Sequence, residues 1–157
     1  MLNCNDYKLV IISLLWVKLL DKYVKILKDK NIKITPQRLV VLEYLDKNWT
    51  HPTADEIYCH LKKKNPSLSK TTVYNALETL DRHRIIQSLT ISGSELRYDL
   101  DHGMHHHFYC RKCGAIIDIE LKCPNIEKMK QYGHEVEEIH GYIKGICKNC
   151  LKKRKEK

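Results

Sequence analysis

The chain has 157 residues, 43% of them apolar and 30% charged, and a formal net charge of +9. That is apolar matter enough for one compact domain or two small ones, and it excludes a disordered tail. Seven cysteines and nine histidines exclude a featureless scaffold.

The charge is unevenly spread. Residues 1–100 carry 16 basic and 11 acidic side chains, residues 101–151 carry seven of each, and residues 152–157 carry five and one. The excess lies in the first part and a short tail, whereas five of the seven cysteines lie in the neutral part. Two halves with different work follow: an anionic partner for the first and metal chemistry for the second.

Taken in chain order, Leu9–Leu20 is apolar but interrupted by Lys18, and it is shorter than the roughly 20 residues of a membrane helix. No small-residue cleavage site follows, and an odd cysteine count suits no fully paired disulfide framework. The reading is a cytoplasmic protein without a membrane span. Leu20, Tyr23, Val24 and Leu27 continue a helical pattern, while residues 1–19 are set apart as an N-terminal extension.

Thr35-Pro36 opens a helix, with Leu39, Val41, Leu42 and Leu45 on its buried stripe and its end near Lys47. Thr53-x-x-Glu56 is a capping box for a second helix, with Ile57, Tyr58 and Leu61 inward and Cys59 expected as a packed thiol. Ser69 opens a third, with Val73, Leu77 and Leu80 on one face. Ile85–Ile91 and Glu95–Leu100 around Ser92-Gly93-Ser94 read as a hairpin. Three helices and a hairpin over residues 20–100 give a winged helix-turn-helix pattern, in which the last helix enters the major groove. A structural three-helix bundle is the alternative on pattern alone.

Residues 101–151 read as a small α/β unit. Strands are expected over His107–Arg111, Ala115–Glu120 and Val136–Ile146, with a short helix over Pro124–Tyr132 that turns Ile126 and Met129 inward. Residues 152–157 read as a basic tail. The whole is an α+β chain.

Cys110-x-x-Cys113 and Cys147-x-x-Cys150 share one spacing. Four thiolates in a tetrahedron make a closed structural zinc site; redox-active pairs or disulfides are the alternative. A second set, His51, Asp99, His105, His107 and Asp118, offers imidazole and carboxylate donors that suit Fe(II), Mn(II) or Zn(II). A hydrolytic metal centre would need a separate general base, and none is recognisable.

Ile34-Thr35-Pro36-Gln37-Arg38, His51-Pro52-Thr53-Ala54-Asp55-Glu56-Ile57-Tyr58, Leu68–Leu80, Arg97-Tyr98-Asp99, His105-x-His107 with Cys110-x-x-Cys113-Gly114, and Gly145-x-Cys147-x-x-Cys150 together resemble the ferric uptake regulator (Fur) family of metal-sensing repressors. The resemblance implies a homodimer on palindromic operator DNA, not an enzyme, with no small-molecule substrate. It implies a winged-helix domain over residues 20–100 and a dimerisation domain over residues 101–151. Cys110, Cys113, Cys147 and Cys150 would hold structural Zn(II). His51, Asp99, His105, His107 and Asp118 would hold the regulatory metal, Fe(II) or Mn(II). Zinc-sensing members place cysteine where this chain has Asp99, and iron-uptake members place glutamate where it has Asp118. Aspartate there is typical of the peroxide-sensing branch, in which bound Fe(II) reacts with peroxide and a ligand histidine is oxidised. A further site of some members would fall on His106, Glu127 and His140, although Met104 stands where those members have another histidine. For DNA, the resemblance points to Lys70, Thr72, Tyr74 and Asn75 on the third helix, with Lys33 and Arg38 at the backbone.

Overall fold

The structure, a computed structural model, describes residues 20–91, 93, 95–100, 105–121, 128–129, 132–135 and 141–155. The extension over residues 1–19, Cys4, Cys123, Glu127, His140, and most of the short helix and of the last strand's first half lie outside the described residues. The chain divides into two compact units, Met1–Leu89 with Leu96–Asp101, and Thr90–Glu95 with His102–Lys157.

In the first unit, helix α1 covers residues 20–29 and buries Tyr23 and Leu27, one turn apart. It ends where Asn31 takes a left-handed φ of 55° and the N–H of Ile32 reaches back to Leu27 O at 2.8 Å. Asparagine tolerates that conformation, and the buried Ile32 completes the cap with an apolar contact. Helix α2 (Pro36–Lys47) starts as its sequence dictates, with Thr35 Oγ1 accepting from Arg38 N and proline at the first position. Helix α3 (Ala54–Lys64) carries the full capping box: Glu56 N donates to Thr53 Oγ1 (3.2 Å), and Thr53 N donates to Glu56 Oε2 (2.7 Å). Helix α4 (Lys70–Arg82) is capped by Ser69 Oγ and ends on the same backbone device as α1, with Arg84 at φ 54° and Ile85 N bonded to Leu80 O.

Val41, Leu42, Leu45, Ile57, Leu61, Val73, Ala76, Leu77 and Leu80 meet in one core with Ile85, Ile86, Tyr98 and Leu100. Strands β1 (Gln87–Leu89) and β2 (Arg97–Asp99) pair antiparallel, Ser88 opposite Tyr98. Each is shorter than the hydrophobic run that announced it. Ile85 and Ile86 are spent on the helix cap and the core instead of the ladder. Asp81 fastens the hairpin to α4, accepting from Ser88 N and from Ser88 Oγ, both at 2.9 Å. Cys59 is exposed rather than packed: it lies two residues from both Ile57 and Leu61, hence across the helix from the buried stripe.

In the second unit, β3 (His106–Cys110) is central, antiparallel to β4 (Ile116–Ile119) and parallel to β5 (Tyr142–Gly145), and helix α5 (Lys148–Lys155) follows. The basic run at the end is thus helical through Lys155. Met129, expected inward, is 42% exposed. Gly141 is required: a Cβ there would stand 2.5 Å from His106 Nδ1.

The Thr53 cap also anchors the loop that carries His51. Thr53→Ala is expected to cost about 1 kcal/mol in chemical denaturation followed by circular dichroism. Thr53→Ser should be close to neutral, and equal loss in both variants would contradict the capping role.

Candidate metal centres

Cys110 ends β3, Cys113 lies in the turn after it, Cys147 precedes α5, and Cys150 sits on its first turn. The turn closes through Gly114 N to Cys110 O (2.8 Å) with Gly114 at φ 72°, a left-handed position that suits glycine. The β3–β5 ladder runs on into Arg111 N to Gly145 O and carries the second pair alongside the first. The four sulfur atoms all lie within 4.8 Å of one another, and Cys113 Sγ is 3.8 Å from Cys147 Sγ. Sulfurs bound at about 2.3 Å in a tetrahedron stand about 3.8 Å apart, so the set fits Zn(II). The N–H of Cys147 donates to Cys110 Sγ and draws that thiol down to about 6, whereas burial pushes Cys150 up to about 12. Hydrogen bonding favours a thiolate and burial opposes one, and a bound cation would displace the thiol protons.

The second sequence-predicted set is described unit by unit. In the first unit, His51 is 1% exposed in the loop before α3 and holds a left-handed φ of 49°. That loop is stitched to β2: Tyr98 N donates to Pro52 O (3.0 Å), Arg97 Nη1 to His51 O (3.1 Å), and Thr53 bridges Arg97. The stitching overdetermines the strained backbone and puts His51 Nε2 3.7 Å from Asp99 Oδ2.

In the second unit, His107 lies on β3 directly opposite Asp118 on β4. His105 precedes the strand rather than lying on it, yet its Nε2 comes to 2.9 Å from His107 Nε2. Two nitrogens bound to one ion at about 2.1 Å and right angles stand about 3 Å apart. Asp118 Oδ1 lies 3.8 Å from His105 Nε2 and 3.7 Å from His107 Nε2, inside the roughly 4.2 Å that two such ligands of one ion can span. His106 points to the other face of the sheet and is buried against Gly141.

The DNA candidates sit on or beside the helices of the first unit. Tyr74 and Asn75 are exposed on α4, and Lys70 and Thr72 lie in its first turn, Thr72 bonded to the Ser69 cap. Lys33 is exposed, and Arg38 donates to Lys33 O and to Thr79 Oγ1. Asp55, which spacing did not single out, accepts bonds from both Lys70 and Tyr74. The only sequence signal for it was a carboxylate in the first turn of α3, ordinarily read as a helix-dipole partner.

Among the described residues no helix is long and apolar enough to cross a membrane. The peroxide-responsive repressor PerR of Staphylococcus aureus is 36% identical over 137 residues, 85% of this chain and 93% of its own length. The Helicobacter pylori ferric uptake regulator Fur superposes with a TM-score of 0.68 at 27% identity, covering 85% of this chain and 92% of that one. The Campylobacter jejuni peroxide stress regulator superposes with a TM-score of 0.65 at 33% identity, covering 81% and 98%. The sequence profile of the ferric uptake regulator family matches residues 29–150, and the chain belongs to that family of metal-dependent transcriptional regulators.

Proposed function

We propose that the chain is a repressor that binds palindromic operator DNA as a homodimer in the cytoplasm and is released from it by peroxide. The observation that carries this reading is the register of β3 against β4, which sets an aspartate, Asp118, beside the imidazoles of His105 and His107. Similarity to a repressor named as peroxide-responsive supports it.

Zn(II) on Cys110, Cys113, Cys147 and Cys150 has a structural role. Regulatory Fe(II) or Mn(II) is held by His51 and Asp99 of the first unit with His105, His107 and Asp118 of the second. Such a metal favours the DNA-binding form by no more than its differential affinity for the two forms. Bound Fe(II) supplies the reduction of peroxide and the oxidation of an adjacent imidazole. With Fe(II) held there, His51 and His105 would be the imidazoles that take the oxygen, beside the short carboxylate of Asp118. The homodimer uses the sheet face on which Phe108, Ile117 and Ile143 lie side by side, the two isoleucines being 40% and 41% exposed. On DNA, Tyr74 meets a thymine methyl and Asn75 an adenine edge or a phosphate, Lys33 and Arg38 meet the backbone, and Lys70 and Thr72 lie at the groove. His106, with Glu127 and His140, is the candidate for a further metal.

Elemental analysis is expected to find one zinc per protomer that resists chelation. Cys147→Ser should lose that zinc together with the dimer in light scattering; zinc retained at full occupancy would overturn the four-thiolate site.

The functional test uses a duplex selected from a random library by the Mn(II)-loaded protein. Brief peroxide should abolish binding by the Fe(II) form alone, with one oxygen added to His51 or His105 in peptide mass spectra. An Fe(II) form that keeps its binding would overturn peroxide sensing in favour of an Fe(II) regulator without peroxide chemistry. Tyr74→Ala should weaken the selected duplex by roughly 1–3 kcal/mol and a random duplex by less. Equal losses would remove the base contact.

A further inference from the structure

Lys70, in the first turn of α4, is exposed, and its neighbour is an acid in the first turn of α3. The carboxylate of Asp55, in the first turn of α3, takes the Lys70 ammonium on both oxygens (2.8 and 2.9 Å) and the Tyr74 hydroxyl on Oδ1 (2.8 Å). The same ammonium lies 5.6 Å from the centroid of the Tyr74 ring. Side-chain exposure is 54% for Lys70 and 56% for Asp55, and Tyr74 is 41% exposed. A pair so open to water contributes little to folding. Its consequence falls on whatever approaches α4.

The ammonium and the phenol are the two kinds of donor that a DNA phosphate would take. The carboxylate already holds both. Lys70 and Tyr74 lie one turn apart on α4, and Asp55 on the neighbouring helix reaches them together. Loss of Asp55 would therefore release the Lys70 ammonium from its carboxylate and remove one hydrogen bond from the Tyr74 hydroxyl.

Resting on the reading that α4 faces DNA, we infer that Asp55 is a specificity-determining residue: it withholds Lys70 from phosphates and aims the Tyr74 ring at the bases. Withholding a cation weakens the grip on any duplex, since phosphate contacts carry no sequence information. Aiming the ring strengthens the grip on the right duplex alone. The two effects raise discrimination together.

Two variants separate them. Asp55→Asn keeps a neutral acceptor for the Tyr74 hydroxyl but offers Lys70 no charge, whereas Asp55→Ala releases both. The measurement is fluorescence anisotropy with the full-length Mn(II)-loaded chain, on a random duplex and on the selected duplex, over a salt series. Both variants should bind the random duplex about threefold to fivefold more tightly, the equilibrium weight of one exposed ion pair. Asp55→Asn should keep the ratio of selected to random affinity, and Asp55→Ala should lower it. Lys70→Ala should weaken random-duplex binding more in the Asp55→Asn background than in the parent chain, the non-additivity expected of a coupled pair.

Strictly additive effects of Lys70 and Asp55, or unchanged random-duplex affinity in Asp55→Asn, would overturn the inference. Should Tyr74→Ala and Asn75→Ala still weaken the selected duplex in that case, the DNA-facing role of α4 stands and only the part assigned to Asp55 falls. No effect of any α4 or Asp55 variant on either duplex would remove both.

Discussion

The β3 strand is the constraint on which the second unit depends. It runs from His106 to Cys110, so a single extended strand carries the candidate ligands His107 and Cys110 three residues apart, about 10 Å. Cys110 is fully buried, and among the described residues its cluster contains only Cys147 and Cys150, with Phe108 packed against it. Among the described residues the first unit's core cluster has seventeen buried members. A cation shared by the sulfur cluster would replace thiol protons and join the β3–β4 turn to the start of α5. The same strand carries both candidate centres: the cysteine set lies at its end, and its register with β4 holds His107 3.7 Å from Asp118.

In the first unit the corresponding chain of restraint is made of backbone and polar side chains. The His51 loop is bonded to β2 through Pro52 O and His51 O. β2 pairs with β1, and β1 is bonded to Asp81 at the end of α4. Each link is short and involves an extended strand or a helix end, elements that move as bodies rather than bend. A ligand that engages His51 and Asp99 thus acts on the same rigid assembly that carries α4. That is a physical linkage inside one unit, and it needs no diffuse pathway through the core.

The helix starts were legible because their chemistry is local. Thr35-Pro36, Thr53-x-x-Glu56 and Ser69 satisfy backbone donors within one turn, so a few residues suffice to declare them. The paired Cys-x-x-Cys spacing was legible for the same reason, since a turn presents both thiols to one ion. Two helix ends were not. Asn31 and Arg84 adopt left-handed backbone, but neither is glycine, and their caps depend on Ile32 and Ile85 reaching the core. The strands β1 and β2 proved short for a related reason: a run of apolar residues does not say whether it feeds a ladder or a core. His105 meets His107 from a position before the strand, which the His-x-His spacing does not show. Asp55 was invisible as more than a helix-start acid, since its partners are fifteen and nineteen residues away on another helix.

The net charge takes on a sharper meaning in this light. A surplus of +9 favours any polyanion, and a regulator that relied on it alone would be held by random sequence. Discrimination is a difference between two affinities, so it improves as much by weakening the wrong complex as by strengthening the right one. The ion pair of Asp55 with Lys70 removes one cation from the face that bears α4 without altering the core beneath it. The sulfur cluster acts in the same sense, since four thiolates around one Zn(II) carry a net charge of about −2. A divalent regulatory ion returns about that amount. On the proposed function, metal occupancy would adjust the general attraction to nucleic acid, while Asp55 would limit how much of that attraction is spent on sequence that carries no information.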